Sequence, residues 1–228
     1  MAAIHATLLF LLLVLAALFP ASARASEDIV RTNGAVNTTA GADYGRLATT
    51  NGSVRLADTV TAGPASTTNG SISAGDDVTA ERLSTVNGSI RVGERVNVAG
   101  DVRTVNGSIL IERGGRVGAV ETTNGAIGLV ATEVAGDVRL ANGDLTVGIG
   151  SHVRGGIEVR KPGSSWMPVR VGPRLPRVVI GPGAVVDGPL VFEREVTLYV
   201  HDTARIGPVT GAQPVRYSTP TAPRRGED

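Results

Sequence analysis

The stretch Thr85-Val86-Asn87-Gly88-Ser89-Ile90-Arg91-Val92 recurs with small changes along most of the chain. Its Asn-Gly pair returns at intervals of 18, 18, 18, 19, 18 and 18 residues, at Asn33, Asn51, Asn69, Asn87, Asn106, Asn124 and Asn142. A fixed period near twenty residues is typical of a solenoid, in which each unit buries its apolar face by stacking on its neighbours. The repeat therefore predicts a stack of similar coils.

Apolar columns define the inside of this stack. Four residues before each Asn stand Ile29, Leu47, Ala65, Leu83, Val102, Val120 and Val138. Three residues after it stand Val36, Val54, Ile72, Ile90, Ile109, Ile127 and Leu145. The position two residues further on is also mostly apolar, as strand alternation requires. A third pair follows in the most regular units, at Val60/Ala62, Val78/Ala80 and Val96/Val98.

Two architectures fit part of this pattern. Asn-Gly is the strongest signal for a two-residue β-hairpin turn, and the columns that flank it would share a face in a hairpin as well. A meander of hairpins, however, leaves the third apolar pair unexplained. Three short pairs per repeat favour a single-stranded parallel β-helix, an all-β fold of three-sided coils with about 18 residues each.

The Asn-Gly pair is expected at a corner of the coil. Stacked asparagine amides hydrogen-bond to one another, and we expect them to point inward as a structural ladder. On this interpretation the Asn-x-Ser/Thr matches at Asn51, Asn69, Asn87 and Asn106 are not glycosylation sites. The glycines are expected to supply a positive φ for the bend, at Gly34, Gly52, Gly70, Gly88, Gly107, Gly125 and Gly143.

One acidic column is the strongest candidate for metal binding. Asp58, Asp76 and Glu94 each lie seven residues after an Asn, with Asp77 beside them. Stacked carboxylates repel one another unless a cation or an arginine lies between them. The column is therefore either a solvated turn neutralised by Arg95 or Arg113, or a calcium site.

A second charged column alternates in sign. Arg103, Glu121 and Arg139 each stand three residues before an Asn. Such cross-strand pairs help to fix the register of neighbouring strands. We interpret this column as structural.

Aromatic residues are scarce, and they indicate where a ligand site is best sought. Only 3% of the residues are aromatic, and most of them lie in the C-terminal third. Trp166 lies in the segment 158–177, which is rich in proline and is predicted to be a loop or lid. Trp166 and Tyr199 are the candidate ligand-binding residues.

The chain divides into five predicted segments. Residues 1–25 resemble an export signal, with the apolar run Leu8 to Phe19 and a small-residue cleavage site ending at Ala25. Regular coils are predicted over 26–157, the loop over 158–177, C-terminal coils and a cap over 178–211, and a disordered tail over 212–228. After signal removal no remaining stretch is long and apolar enough to predict a transmembrane helix.

Charge and composition exclude several functions. Loss of residues 1–25 removes one arginine and leaves 21 basic and 21 acidic residues. A balanced chain argues against nucleic acid as a partner, because nucleic-acid binding needs a concentrated basic face. No residues form a recognisable catalytic set, so we expect no enzymatic activity and no cofactor.

The motif Thr-x-Asn-Gly-Ser-Ile-x-Val resembles the bacterial "putative adhesin" β-strand repeat family over about residues 29–148. That resemblance implies an exported, right-handed β-helix. Further on, Ile180-Gly181-Pro182-Gly183-Ala184-Val185 resembles a hexapeptide-like coil of the polymer-forming bactofilins, echoed at Val186, Phe192 and Leu198.

The sequence and these resemblances together favour an adhesin-like or scaffolding protein of the bacterial cell envelope. Its location is expected to be the periplasm, the cell surface or the medium. Its partner is expected to be an envelope polysaccharide, another envelope protein or a second copy. The alternatives are a polysaccharide-binding or polysaccharide-active solenoid that uses the acidic column and the Trp166 region, and a polymer-forming scaffold.

Overall fold

The chain folds into a parallel β-solenoid of about ten coils. The structure is a computed structural model that describes residues 26–161 and 175–224. All strand pairs recorded along the stack are parallel, including those on each of the three faces. A hairpin meander requires antiparallel neighbours, so the solenoid prediction is confirmed and the hairpin alternative is wrong.

Three faces run along the solenoid, with strands numbered β1 to β26 in chain order. Face 1 ends at the Asn-Gly corner and consists of β1 (Glu27–Asn33), β3 (Asp43–Asn51), β5 (Thr61–Asn69), β7 (Thr79–Asn87), β10 (Val102–Asn106), β13 (Val120–Asn124), β16 (Val138–Asn142), β19 (Ile157–Val159), β22 (Leu190–Phe192) and β25 (Val209–Thr210). Face 2 follows that corner and consists of β2 (Val36–Asn37), β4 (Val54–Leu56), β6 (Ile72–Ala74), β8 (Ile90–Val92), β11 (Ile109–Ile111), β14 (Ile127–Leu129), β17 (Leu145–Val147), β20 (Arg177–Ile180), β23 (Thr197–His201) and β26 (Pro214–Tyr217).

Face 3 is formed in two ways. In the early coils the first residues of β3, β5 and β7 lie on face 3, and the same strand then bends onto face 1. Beyond the 19-residue interval the strand is split, and face 3 has strands of its own: β9 (Asn97–Val98), β12 (Arg116–Val117), β15 (Glu133–Val134), β18 (His152–Val153), β21 (Val185–Val186) and β24 (Arg205–Ile206). The extra residue thus lies at the corner between faces 3 and 1.

The predicted inward columns form the core. Leu47, Leu83, Val102, Val120 and Val138 are each 0% exposed. The column three residues after the Asn is equally buried, and so is the third pair of each regular coil. The core is one continuous cluster of mainly aliphatic side chains, and it extends into the C-terminal coils through Val186, Phe192 and Leu198.

The proline-rich insertion does not interrupt the stacking. Strand β17 pairs directly with β20, so Leu145 lies beside Val178 across the insertion. Both ends of the predicted loop 158–177 overlap strands, since β19 continues to Val159 and β20 begins at Arg177. Residues 162–174 lie outside the described residues.

The predicted disordered tail is wrong over its first part. Strand β26 (Pro214–Tyr217) adds a further coil in parallel to β23. The chain then folds back over face 2, where Arg177 Nη2 donates to the carbonyl of Pro223 at 2.6 Å. The prolines that suggested disorder therefore lie at the end of the solenoid, where a missing N–H costs least.

Candidate functional site

Seven asparagine side chains form a hydrogen-bonded row along the corner between faces 1 and 2. Each Nδ2 donates to the Oδ1 of the Asn one coil earlier, from Asn51 to Asn33 at 3.0 Å and from Asn106 to Asn87 at 2.8 Å. The same bond links the other successive pairs, at 2.8 to 3.0 Å. The predicted asparagine ladder is confirmed. We call this row the asparagine ridge: Asn33, Asn51, Asn69, Asn87, Asn106, Asn124 and Asn142.

The ridge faces solvent, which corrects the expectation that its side chains point inward. Its first six members are exposed, and Asn142 is half-buried. The threonine two residues earlier points inward. The chain turns at the corner directly after it, so the Asn side chain lies on the outside of the coil. The burial argument against glycosylation therefore fails. The Nδ2 atom that a glycan would occupy is instead the ladder donor at Asn51, Asn69, Asn87 and Asn106.

The glycines beside the ridge are required by close stacking. A Cβ on Gly70, Gly88 or Gly107 would lie 1.9 to 2.0 Å from the carbonyl oxygen of the glycine one coil earlier. Of the seven glycines, only Gly34, Gly125 and Gly143 have a positive φ. The prediction that these glycines supply a positive φ is thus wrong at the other four positions. There, lack of space excludes a side chain, and the backbone conformation does not.

Buried threonines complete the corner. The hydroxyl of Thr104 donates to the carbonyl oxygen of Gly88 at 2.8 Å, across one coil. Thr49, Thr67, Thr85 and Thr122 make the same bond to the preceding corner glycine. Each bond satisfies a hydroxyl that would otherwise be buried without a partner. Nothing in the local sequence pattern indicates these hydrogen bonds, because each acceptor lies one coil away.

The last member of the ridge meets a cation. Arg194 follows β22, and its Nη1 donates to Asn142 Oδ1 at 2.8 Å. All ladder bonds run in one direction, so the dipoles of the amides add. The guanidinium lies at the end of the row where the amide oxygen has no ladder donor. The insertion separates Arg194 from the repeat, which is why sequence reasoning missed it.

The two positions that flank each Asn carry no charge over six coils, although the Arg31 guanidinium reaches the carbonyl oxygen of Ala35 in the first of them. The position before each Asn is exposed and small, at Thr32, Thr50, Thr68, Val86, Val105 and Thr123. The position two residues after each Asn is Ala or Ser, at Ala35, Ser53, Ser71, Ser89, Ser108 and Ala126. A carboxamide has two N–H groups and two acceptor sites on its oxygen. The ladder uses one N–H group and one acceptor site of each amide. The second N–H group and the second acceptor site are directed at solvent, once per coil.

The acidic column lies at the next corner and is held by the protein itself. Asp58 Oδ1 accepts the backbone N–H of Asp76 at 2.9 Å, and Asp76 Oδ1 accepts that of Glu94 at 2.8 Å. Arg95 binds both oxygens of Asp77 at 2.8 Å and reaches Glu94 at 2.9 Å. Its guanidinium holds the pKa of the Asp77 carboxyl below its ordinary value.

These contacts match the predicted turn neutralised by Arg95. Among residues 26–161 and 175–224, no group of three or more donors is placed to hold a metal ion. One residue at the same corner has a left-handed backbone conformation, with φ values of 59° at Thr59, 56° at Asp77 and 56° at Arg95. Positive φ is thus needed here, eight residues after the Asn.

The alternating column is only partly paired as predicted. Arg103 Nη2 lies 3.0 Å from Glu121, while Arg139 turns to Glu158 at 3.3 Å. Arg160 also binds Glu158, at 2.8 Å, and lowers the pKa of that carboxyl.

A separate charged group lies on face 3. Glu133 pairs with Arg154 and with Arg116, and these two cations lower the pKa of Glu133. These three residues border a shallow groove with Asn97 and the small residues between them.

The aromatic ligand residues are not found together. Trp166 lies outside the described residues. Tyr199 is 1% exposed and packs with Val179 and Tyr217 under the folded-back chain. The Arg177 guanidinium lies 5.1 Å from its ring centroid, and burial raises the pKa of Tyr217. Tyr199 is therefore part of a small second core outside face 2 and offers no open platform.

Comparison with known proteins does not extend the interpretation beyond the fold. No family model matches this chain, and searches of the curated proteins and of the solved structures give no match. The two family resemblances therefore stay predictions. The described ranges contain no helix that could span a membrane.

Proposed function

We propose that this protein is an exported, non-catalytic β-solenoid of the bacterial cell envelope that adheres to neutral polysaccharide through its asparagine ridge. The single observation that carries the proposal is the exposed, uncharged row of ladder amides with small hydroxyl and methyl side chains on both sides. It repeats once per coil, about 4.8 Å apart. Export rests on the resemblance of residues 1–25 to a signal segment.

The chemistry of the ridge selects the ligand class. Its unused N–H and C=O groups are fixed by the ladder, so binding does not need to order them. A neutral, extended β-linked glycan presents hydroxyl groups at a repeat close to the spacing of β-strands. An anionic polymer would gain more from arginines, which the positions directly flanking the ridge lack from Asn51 to Asn124.

The acidic column supports a non-catalytic interpretation. General acid–base chemistry requires carboxyl groups that exchange protons with a substrate. Here Asp58 and Asp76 accept backbone N–H groups, and Asp77 is bound at both oxygens by Arg95. Structural bonds already occupy these groups.

Cosedimentation with insoluble cellulose and chitin tests the proposal. We expect the wild type to sediment with at least one of them, and the variant Thr50→Lys/Thr68→Lys to lose this binding, because each lysine adds a charge beside the ridge. The matched control is Thr61→Lys/Thr79→Lys, which adds the same charges at exposed positions on face 3 of neighbouring coils. Equal loss in both variants, or no sedimentation of the wild type, would refute the proposal.

A further inference from the structure

The two ends of the solenoid are built differently, and the last strand of face 2 is blocked at the C-terminal end. Inward residues direct their N–H toward the following coil, as Val102 does to the carbonyl of Ala119 at 2.9 Å. In the last strand, Pro214 lies beside the inward Leu198 and has no N–H to offer. Arg216 lies beside the inward Val200, and its side-chain Nη1 donates to the carbonyl oxygen of His201 at 3.3 Å. Proline and charge at an edge prevent the addition of another strand.

The N-terminal end lacks the proline, and its strand β1 carries charges of both signs. Among the described strands, β1 pairs only with β3, and β2 only with β4. Within residues 26–161 and 175–224, one edge of each of these two strands has no partner strand. Strand β1 spans seven residues without proline or lysine. Its outward Val30 is 64% exposed, and its inward Ile29 is only partly buried against the end of the core. Such an edge is a template for strand pairing.

The charges of β1 select its partner. Glu27 and Asp28 lie at the start of the strand, and Arg31 lies towards its end. Parallel pairing of two such strands would place like charges opposite each other, which is destabilising. Antiparallel pairing places the acidic start of one strand opposite the arginine of the other. The strand is therefore complementary to itself about a twofold axis.

We propose that the N-terminal coil is a docking surface for a second copy of this chain, with β1 paired antiparallel to β1 of that copy. The interface is isologous and therefore closes as a dimer. Strand β26 opposes the addition of a further strand on face 2 at the C-terminal end, so we expect a closed dimer rather than a filament. One coil per side is slightly less than the 20–30 residues per partner of a standard stable interface, which predicts a concentration-dependent dimer.

Light scattering on the protein expressed with its own N-terminal segment tests this assembly. Intact mass spectrometry first establishes whether residues 1–25 are retained. We expect the mass of two chains at high concentration and of one chain on dilution. A single-chain mass at all concentrations, with or without residues 1–25, would overturn the proposal, and so would filaments.

Substitution of Val30 tests whether the dimer is held by backbone pairing at the edge of β1 or by apolar contact of the Val30 side chain. The N–H of an outward residue points away from β3, so Val30→Pro removes a donor that the solenoid itself does not use. We expect Val30→Pro to give single chains and Val30→Ala to keep the dimer. A dimeric Val30→Pro protein would contradict the proposed pairing.

A charge exchange gives an independent test that does not depend on proline. Arg31→Glu places acidic groups opposite each other and should weaken the dimer about tenfold, equivalent to about 1.4 kcal/mol. Glu27→Arg/Arg31→Glu should restore it. Lack of rescue would contradict the antiparallel arrangement. Glu27 and Val30 lie off the ridge, so a monomeric Val30→Pro protein leaves the cosedimentation test of the proposed function unaffected. Arg31 Nη1 donates to the carbonyl oxygen of Ala35 beside the ridge, so the Arg31 variants test the dimer only.

Discussion

Each corner glycine lies where the carbonyl of the coil below leaves no room for a methyl group. A Cβ on Gly88 would be 2.0 Å from the carbonyl oxygen of Gly70 and 2.5 Å from its carbon. Because both atoms belong to the backbone, the clash can be relieved only by separating two coils. The spacing of the ridge therefore depends on glycine at this position.

We predict that Gly88→Ala lowers the free energy of unfolding by about 3 kcal/mol, at the upper end of the usual cost of overpacking. Gly128→Ala is the matched control, since its new methyl would meet only the end of the Leu110 side chain, at 3.1 Å. Urea unfolding followed by circular dichroism measures both. Equal stability of the two variants would show that the coils are not stacked this closely.

Sequence reasoning located the corner residues but assigned two of them the wrong physical role. Asn-Gly is so strongly associated with turns of positive φ that the glycine was interpreted in that way. In the structure a positive φ recurs eight residues after the Asn, at Thr59, Asp77 and Arg95 and at the glycines that replace them in three other coils: Gly41, Gly114 and Gly150. The role of each corner residue depends on its contacts with the residue one coil away, and a local sequence pattern does not show those contacts.

At the scale of the strands, charged pairs on the outer faces join successive coils. Glu158 on β19 lies between Arg139 and Arg160, and its side chain is 29% exposed. Arg160 and Arg139 lower the pKa of Glu158 against the effect of burial. The charged carboxylate is thus favoured in the folded state.

This shift predicts a pH dependence of stability. A carboxyl with a lowered folded pKa stabilises the protein above its unfolded pKa, about 4.3, and the gain is lost as the pH falls through the folded value. We expect Glu158→Gln to cost about 0.5–1 kcal/mol near neutral pH and nothing below the folded pKa.

The matched control for that measurement is Glu81→Gln. Glu81 is exposed and has no ion-pair partner among the described residues. Its substitution should leave the melting temperature unchanged across the same pH range. If Glu158→Gln still lowered the free energy of unfolding at low pH, lost packing rather than lost charge would be responsible for the loss of stability.

The strands themselves were largely predictable, and the exceptions have a common cause. Column periodicity fixes the three faces over Glu27–Asn142, because the inward positions repeat from coil to coil, with a shift of one residue on face 3 at Thr132 and Val134. Strand β26 was missed because Pro214 and Arg216 replace aliphatic residues where the stack ends. Arg194 was missed because it reaches the ridge only after the insertion is closed by the pairing of β17 with β20.

At the scale of the whole molecule, the solenoid converts a short motif into an extended surface. Ten stacked strands on face 2 imply a length of about 45 Å at the usual strand spacing. The ridge occupies seven of these coils, from Asn33 to Asn142. A dimer joined at the N-terminal coils would carry two such ridges, and two linked sites bind a polymer more tightly than one.

The most direct test of the account is to observe the ridge amides during ligand binding. Nitrogen-15 NMR resolves the side-chain amides of the ridge and of Asn37 and Asn97, which lie on other faces. On titration with a soluble cello- or chito-oligosaccharide, we predict shifts at consecutive ridge residues such as Asn51, Asn69 and Asn87, and none at Asn37 or Asn97. Shifts at Asn97 alone, beside the charged groove of face 3, or no shifts at all, would contradict the claim that the ridge is the binding surface.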